Sequence, residues 1–199
     1  MPKQPQIHLD PRLPLVLDTR DLPRQPGATR AHRRVVPAPK DLGVELIGVP
    51  EGSDLELDLS MTSVSEGVYV NGVVRGAVEG ECGRCLREIR RSYDFSIAEL
   101  FAYADSTTEE TTDSDEVGRM QGDLIDLEPA VRDAVVLALP TNPVCREDCP
   151  GLCPECGVHL DELPADHSHE FDDPRWAALR NLSTELPEAA SPHEQDSKE

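Results

Sequence analysis

Six cysteines in two groups constrain this chain more than any other feature: Cys82-x2-Cys85, then Cys145-x3-Cys149-x3-Cys153-x2-Cys156. A two-residue spacer lets both thiolates of one turn reach a single tetrahedral zinc ion. Cys153-Pro154-Glu155-Cys156-Gly157 is the stronger such turn, because Pro154 presets the bend and Gly157 admits a positive φ. Cys82-Gly83-Arg84-Cys85 is the second, expected at the tip between two strands. Three other uses of the thiols compete with this reading. Disulfides need an oxidising compartment, and the N-terminus lacks a basic start followed by an apolar signal segment. A redox-active pair needs a helix N-terminus in a βαβ pattern, which is not the pattern seen here. Finally, two of the six exceed what one ion requires and are readable as spare buried thiols.

Spacing leaves two arrangements of a structural zinc site, with one ion per chain expected. A local site takes Cys145, Cys149, Cys153 and Cys156. A bridging site joins Cys82 and Cys85 to a C-terminal pair, with the Cys153 turn as its natural half. Bridging closes a long loop, which explains better why a small core needs metal. His159, His167 and His169 are alternative nitrogen ligands, read here as exposed tail residues.

The core is small because only seven aromatics are available, with 18 prolines and a formal charge of −20. The strand pattern begins at Asp54, where Leu55, Leu57, Leu59 and Met61 alternate with polar residues. A turn at Ser65-Glu66-Gly67 returns the chain as a second strand with Val68, Val70, Val74 and Val78 on one face. Gly72, Gly76 and Gly80 on that face suggest bends or bulges. A third strand carries Tyr93, Phe95, Ile97, Phe101 and Tyr103. Leu13 to Leu17 is expected as an edge strand, and Thr29 to Val36 as a short basic helix capped by Thr29. The segment from Asp123 to Pro129 opens a helix, with Asp126 as cap, Pro129 in the first turn, Val131, Ala134, Val135 and Ala138 on the apolar face, and Pro140 as the stop. A last short helix spans Pro174 to Leu182, anchored by Trp176.

The expected class is therefore α+β: an antiparallel sheet covered by one or two helices, with a cysteine-rich, zinc-binding C-terminal segment. Residues 1–12 are read as unstructured. Residues 13–182 form one domain containing a disordered acidic surface loop at 105–121 and the zinc-binding segment 145–160, and residues 183–199 form a disordered acidic tail.

These motifs in order resemble the YceD family, the large ribosomal RNA subunit accumulation proteins. The likeness rests on Cys82-Gly83-Arg84-Cys85 between strands and Asp126-Leu127-Glu128-Pro129 opening a helix that ends Ala138-Leu139-Pro140. It continues through Pro143-Val144-Cys145, Cys149-Pro150-Gly151-Leu152-Cys153-Pro154-Glu155-Cys156-Gly157, and Asp173-Pro174-Arg175-Trp176. The resemblance implies a role in synthesis, processing or stability of 23S ribosomal RNA in a bacterial cytosol. Its partner would be 23S rRNA, its precursor, or a large-subunit ribosomal protein.

Charge refines this expectation. Residues 1–40 carry eight Lys or Arg against three Asp, a local +5, and Arg84, Arg87, Arg90 and Arg91 surround the first cysteine pair. With Arg33 and Arg34, these are the candidate RNA-phosphate contacts. An acidic body can equally hold a basic ribosomal protein without touching RNA. A thiol redox or zinc sensor is a further alternative. An enzyme is not expected: there is no His-Glu-x-x-His, no phosphate-cradling glycine loop and no nucleophile elbow. No stretch is apolar enough to span a bilayer, and a soluble, cytoplasmic protein is expected.

Overall fold

Alternating apolar residues build the centre of a computed structural model that describes residues 9–106 and 117–169. The expected helix at Pro174–Leu182, the tail, and most of the acidic loop lie outside the described residues. The chain divides into two units, Met1–Gly151 and Leu152–Glu199.

In the first unit, strands β1 (Val16–Asp18), β2 (Thr29–Pro37), β3 (Leu42–Val44), β4 (Ile47–Val49), β5 (Asp54–Val64), β6 (Gly67–Glu81), β7 (Glu88–Ala102), β8 (Gly118–Arg119) and β9 (Leu124–Asp126) precede one α-helix, α1 (Glu128–Ala138). The spine is β6. Strand β7 pairs antiparallel along all of it, from Gly67↔Ala102 to Glu81↔Glu88. Its other edge is shared by β5, from Val64↔Gly67 to Leu55↔Gly76, and by β4 at Ile47↔Gly80 and Gly48↔Glu79. Strand β2 adds outside β5, and β8 pairs parallel to the end of β7. The architecture is thus mostly antiparallel sheet with one helix among the described residues.

Period-two burial explains this register. Leu55, Leu57, Leu59 and Met61 from β5, Val68, Val70, Val74 and Val78 from β6, and Phe95 and Ile97 from β7 are all at most 3 % exposed. Each such side chain contributes about 1.5–3 kcal/mol by leaving water, so a one-residue slip of any strand would be prohibitive. Helix α1 packs on β7 and β3 and buries Val131 and Val135. The Asp126 carboxylate accepts the Glu128 N–H at 3.0 Å from one residue before the helix's own cap position, Leu127. Among the described residues, no helix is long and apolar enough to cross a membrane.

Four expectations change. Thr29–Val36 is not a helix but most of β2, whose nine residues pair continuously with β5 from Thr29↔Thr62 to Pro37↔Asp54. Its arginines hid the strand, because an edge strand with one fully buried side chain, Val36, shows no apolar alternation. Charge on such an edge also discourages pairing with other chains. Second, part of the acidic loop is ordered: Gly118–Arg119 forms β8. Third, the segment expected to open the helix begins as β9, which pairs with β1 at Val16↔Asp126; Pro14 lies before that strand. Fourth, the β6 glycines mark close approach rather than bulges. The ladders run through them unbroken, and a Cβ on Gly72 would sit 2.2 Å from the Asp58 carbonyl oxygen of β5.

Candidate metal centre

The end of the β6–β7 hairpin, farthest from the Ser65–Glu66 turn, presents Cys82 and Cys85. The turn between them is closed by the Leu86 N–H donating to the Cys82 carbonyl at 2.9 Å, with Leu86 at φ 60°. The chain after α1 is brought to this end. Gly83 N–H donates to the Pro143 carbonyl at 2.8 Å, placing Cys145 and Cys149 against the hairpin tip. Two arginines of the hairpin hold that segment by its carbonyls. Arg84 donates to Cys149 O at 2.9 Å and Glu147 O at 3.3 Å, and Arg91 to Cys145 O at 2.9 Å and Val144 O at 3.1 Å.

The four sulfurs of Cys82, Cys85, Cys145 and Cys149 consequently lie within 4.8 Å of one another. Cys82 and Cys149 are 3.9 Å apart, and Cys85 and Cys145 3.6 Å. A tetrahedral zinc with bonds near 2.3 Å separates its sulfurs by about 3.8 Å, so the donor set fits that ion in number, softness and spacing. Cys82, Cys85 and Cys149 are buried and Cys145 half-buried, and four thiolates would complete a tetrahedral donor set.

The local electrostatics favour thiolate at one position and disfavour a full set without a cation. Burial opposes ionisation of Cys82, yet the amides of Cys145, Arg84 and Cys85 aimed at its sulfur outweigh it and bring the thiol down to about 6. At Cys85 the Arg87 amide pulls downward, but burial and the neighbouring sulfurs of Cys82, Cys149 and Cys145 push the thiol up to about 12. Burial also raises Cys145. Cys85 and Cys145 thus resist ionising beside their neighbours, and a divalent cation would remove that resistance.

A second group lies wholly in the other unit. Cys153, Cys156, His167 and His169 present ligand atoms within 4.8 Å of one another. Here the amides of Cys156 and Glu155, then His167, lower Cys153 to about 6. The grouping has the form of the bridging arrangement, Cys82 and Cys85 with a C-terminal pair, but that pair is Cys145 and Cys149 rather than the Cys153 turn. Cys82 and Cys85 meet Cys145 and Cys149, while the Cys153 turn meets two histidines taken for tail residues; His159 belongs to neither group. The overlooked signal was arithmetic: six cysteines and a His-x-His pair make eight donors, enough for two ions rather than one with thiols to spare.

The arginines expected to contact phosphate are spread over β2, the first knuckle and β7. Arg33 pairs with Asp58 at 2.9 Å, and Arg90 with Glu88 at 2.6 Å and Glu79 at 3.6 Å. Arg84 and Arg91 spend hydrogen bonds on the cysteine segment, and Arg34 is exposed on β2. Arg87 is half-buried beside the knuckle.

Residues 70–183 match a family described as large ribosomal RNA subunit accumulation protein YceD. The chain is 51 % identical over 166 residues to the uncharacterized protein Rv2926c of Mycobacterium tuberculosis, covering 83 % of this chain and 80 % of that one. It is 42 % identical over 178 residues to the uncharacterized protein ML1660 of Mycobacterium leprae, covering 89 % and 82 %. It is 26 % identical over 119 residues to the uncharacterized protein YlbN of Bacillus subtilis, covering 59 % and 67 %. No solved structure matches.

Proposed function

The chain belongs to the YceD family, and on that premise we propose that it is a non-enzymatic, cytoplasmic ribosome-biogenesis factor that supports synthesis, processing or stability of 23S rRNA, with a structural zinc ion held by Cys82, Cys85, Cys145 and Cys149. One observation carries the proposal. The matched stretch, 70–183, contains both halves of the four-cysteine cluster, so the family's region and the candidate metal centre coincide.

The zinc acts as a clasp. It ties the loop after α1 to the hairpin end, and closing a loop of this length by metal stabilises a small core through the unfolded chain's lost freedom. The clasp also fixes the basic side chains around it. Arg84, Arg87, Arg90 and Arg91 then surround a rigid knuckle, and Arg33 and Arg34 project from the β2 edge, as candidate RNA contacts. With a net charge of −20, any such contact is local and salt-sensitive.

A second version is favoured by a specific observation: Arg33 and Arg90 already pair with carboxylates. On that version the acidic body holds a basic large-subunit protein before it meets RNA. Depleting the protein in cells and measuring mature 23S against 16S rRNA tests the common proposal. Depletion lowers the 23S share, and the Cys82→Ser, Cys85→Ser double variant fails to restore it. An unchanged ratio overturns the ribosomal role. Residue-mapped crosslinks to 23S rRNA at Arg84 or Arg87 support direct contact; crosslinks only to basic ribosomal proteins support the holding version.

A further inference from the structure

We propose that Cys153, Cys156, His167 and His169 form a second zinc site, of mixed sulfur and nitrogen ligation, that folds the unit beginning at Leu152. It is chemically distinct from the four-cysteine clasp and independent of the ribosomal reading.

Local backbone geometry builds a metal turn at Cys153–Cys156. The Gly157 N–H donates to the Cys153 carbonyl at 2.8 Å with Gly157 at φ 70°, and the Cys153 N–H donates to the Val158 carbonyl at 2.8 Å. Leu152 and His159 bridge across the turn. This is the bond pattern of the first knuckle, where the Leu86 N–H reaches the Cys82 carbonyl and the same position takes a left-handed φ. Two turns of one geometry present their cysteine pairs alike, and the second lacks two ligands from its own turn.

The histidines supply them. Cys156 Sγ lies 3.7 Å from His167 Nε2. Bonds near 2.3 Å to sulfur and 2.0–2.1 Å to nitrogen give a tetrahedral edge of about 3.6 Å. The His167 and His169 rings meet edge to face with centroids 4.5 Å apart, an arrangement that lets both aim a nitrogen at one point. Two imidazoles and two thiolates neutralise zinc, whereas four thiolates leave the first site with net negative charge.

The described part of the unit, residues 152–169, also needs an ion to hold its shape. Within residues 152–169 only Cys153 is buried. So little buried apolar surface cannot offset the conformational entropy of an ordered loop, the situation in which a metal supplies the missing free energy.

Native mass spectrometry and zinc-edge X-ray absorption on the purified full chain test the proposal. The expected result is two zinc ions per chain, with about three sulfurs to each nitrogen averaged over both. The His167→Ala, His169→Ala variant should keep one ion, now in an all-sulfur environment, with its sheet circular dichroism unchanged. Cys82→Ser should also keep one ion, with sulfur and nitrogen in equal number. In the histidine variant the first site, which lies in the other unit, reports independently that the protein is folded. One ion per chain in the wild type, or an unaltered two-ion count in the histidine variant, overturns the second site.

Discussion

Leu86 offers a sharp test of how the first knuckle is built. A non-glycine residue there sits at φ 60°, a conformation that costs an L residue about 1–2 kcal/mol. Glycine escapes that cost but gives up about 0.5–1 kcal/mol to its greater freedom in the unfolded chain. Leu86 is 61 % exposed, so truncating it removes modest apolar burial, and removes the same amount in Leu86→Gly as in Leu86→Ala to within one methyl group. Comparing the two variants therefore isolates the backbone. Leu86→Gly should be more stable than Leu86→Ala by about 0.5–1 kcal/mol, the reverse of the ordinary order at strand and helix positions. With a urea dependence of about 2 kcal/mol per molar, the midpoints should differ by about 0.3–0.5 M. The measurement is urea unfolding of the zinc-loaded proteins at fixed free zinc, followed by the sheet's circular dichroism. Equal midpoints, or the alanine protein unfolding later, would refute a left-handed residue closing this turn.

Two further outcomes follow from the sheet. Gly72→Ala puts a Cβ 2.2 Å from the Asp58 carbonyl oxygen and 2.8 Å from Leu59 Cα at φ 147°, with backbone on both counts. It should cost roughly 3 kcal/mol or more, a melting-temperature loss of about 6–12 °C, and a loss under 2 °C would contradict the close β5–β6 approach. His32, half-buried with Nε2 unpartnered, is held below the ordinary histidine value by burial and then by Arg34 and Arg30. The unfolded chain therefore binds the proton more readily, so His32 lowers stability as pH falls below about 6.5 and contributes nothing above it. His32→Leu should flatten the fall in urea midpoint between about pH 6.5 and 5.5; identical slopes for the two proteins would exclude the histidine as its cause.

The local patterns belonged to the sequence. Alternation at Leu55–Met61 and Val68–Val78 requires a strand with one buried face, and Ser65–Glu66 turns one strand into the next; both follow from period-two geometry and turn chemistry over a few residues. The two Cys-x2-Cys turns were equally legible, since each is a property of four or five consecutive residues. Which C-terminal pair meets the hairpin was not. That Cys82 and Cys85 meet Cys145 and Cys149 depends on where α1 delivers the chain and on Arg84 and Arg91 seizing its carbonyls, contacts separated by more than fifty residues. The strand at Thr29–Pro37 was likewise fixed by its partner: nine residues whose own side chains are mostly solvent-facing become a strand because β5 offers an unpaired edge. Spacing determines which cysteines can share a turn; only the fold decides which turns share a metal, because hydrogen-bonded register and helix placement set the distances that the ion's bond lengths then accept or reject.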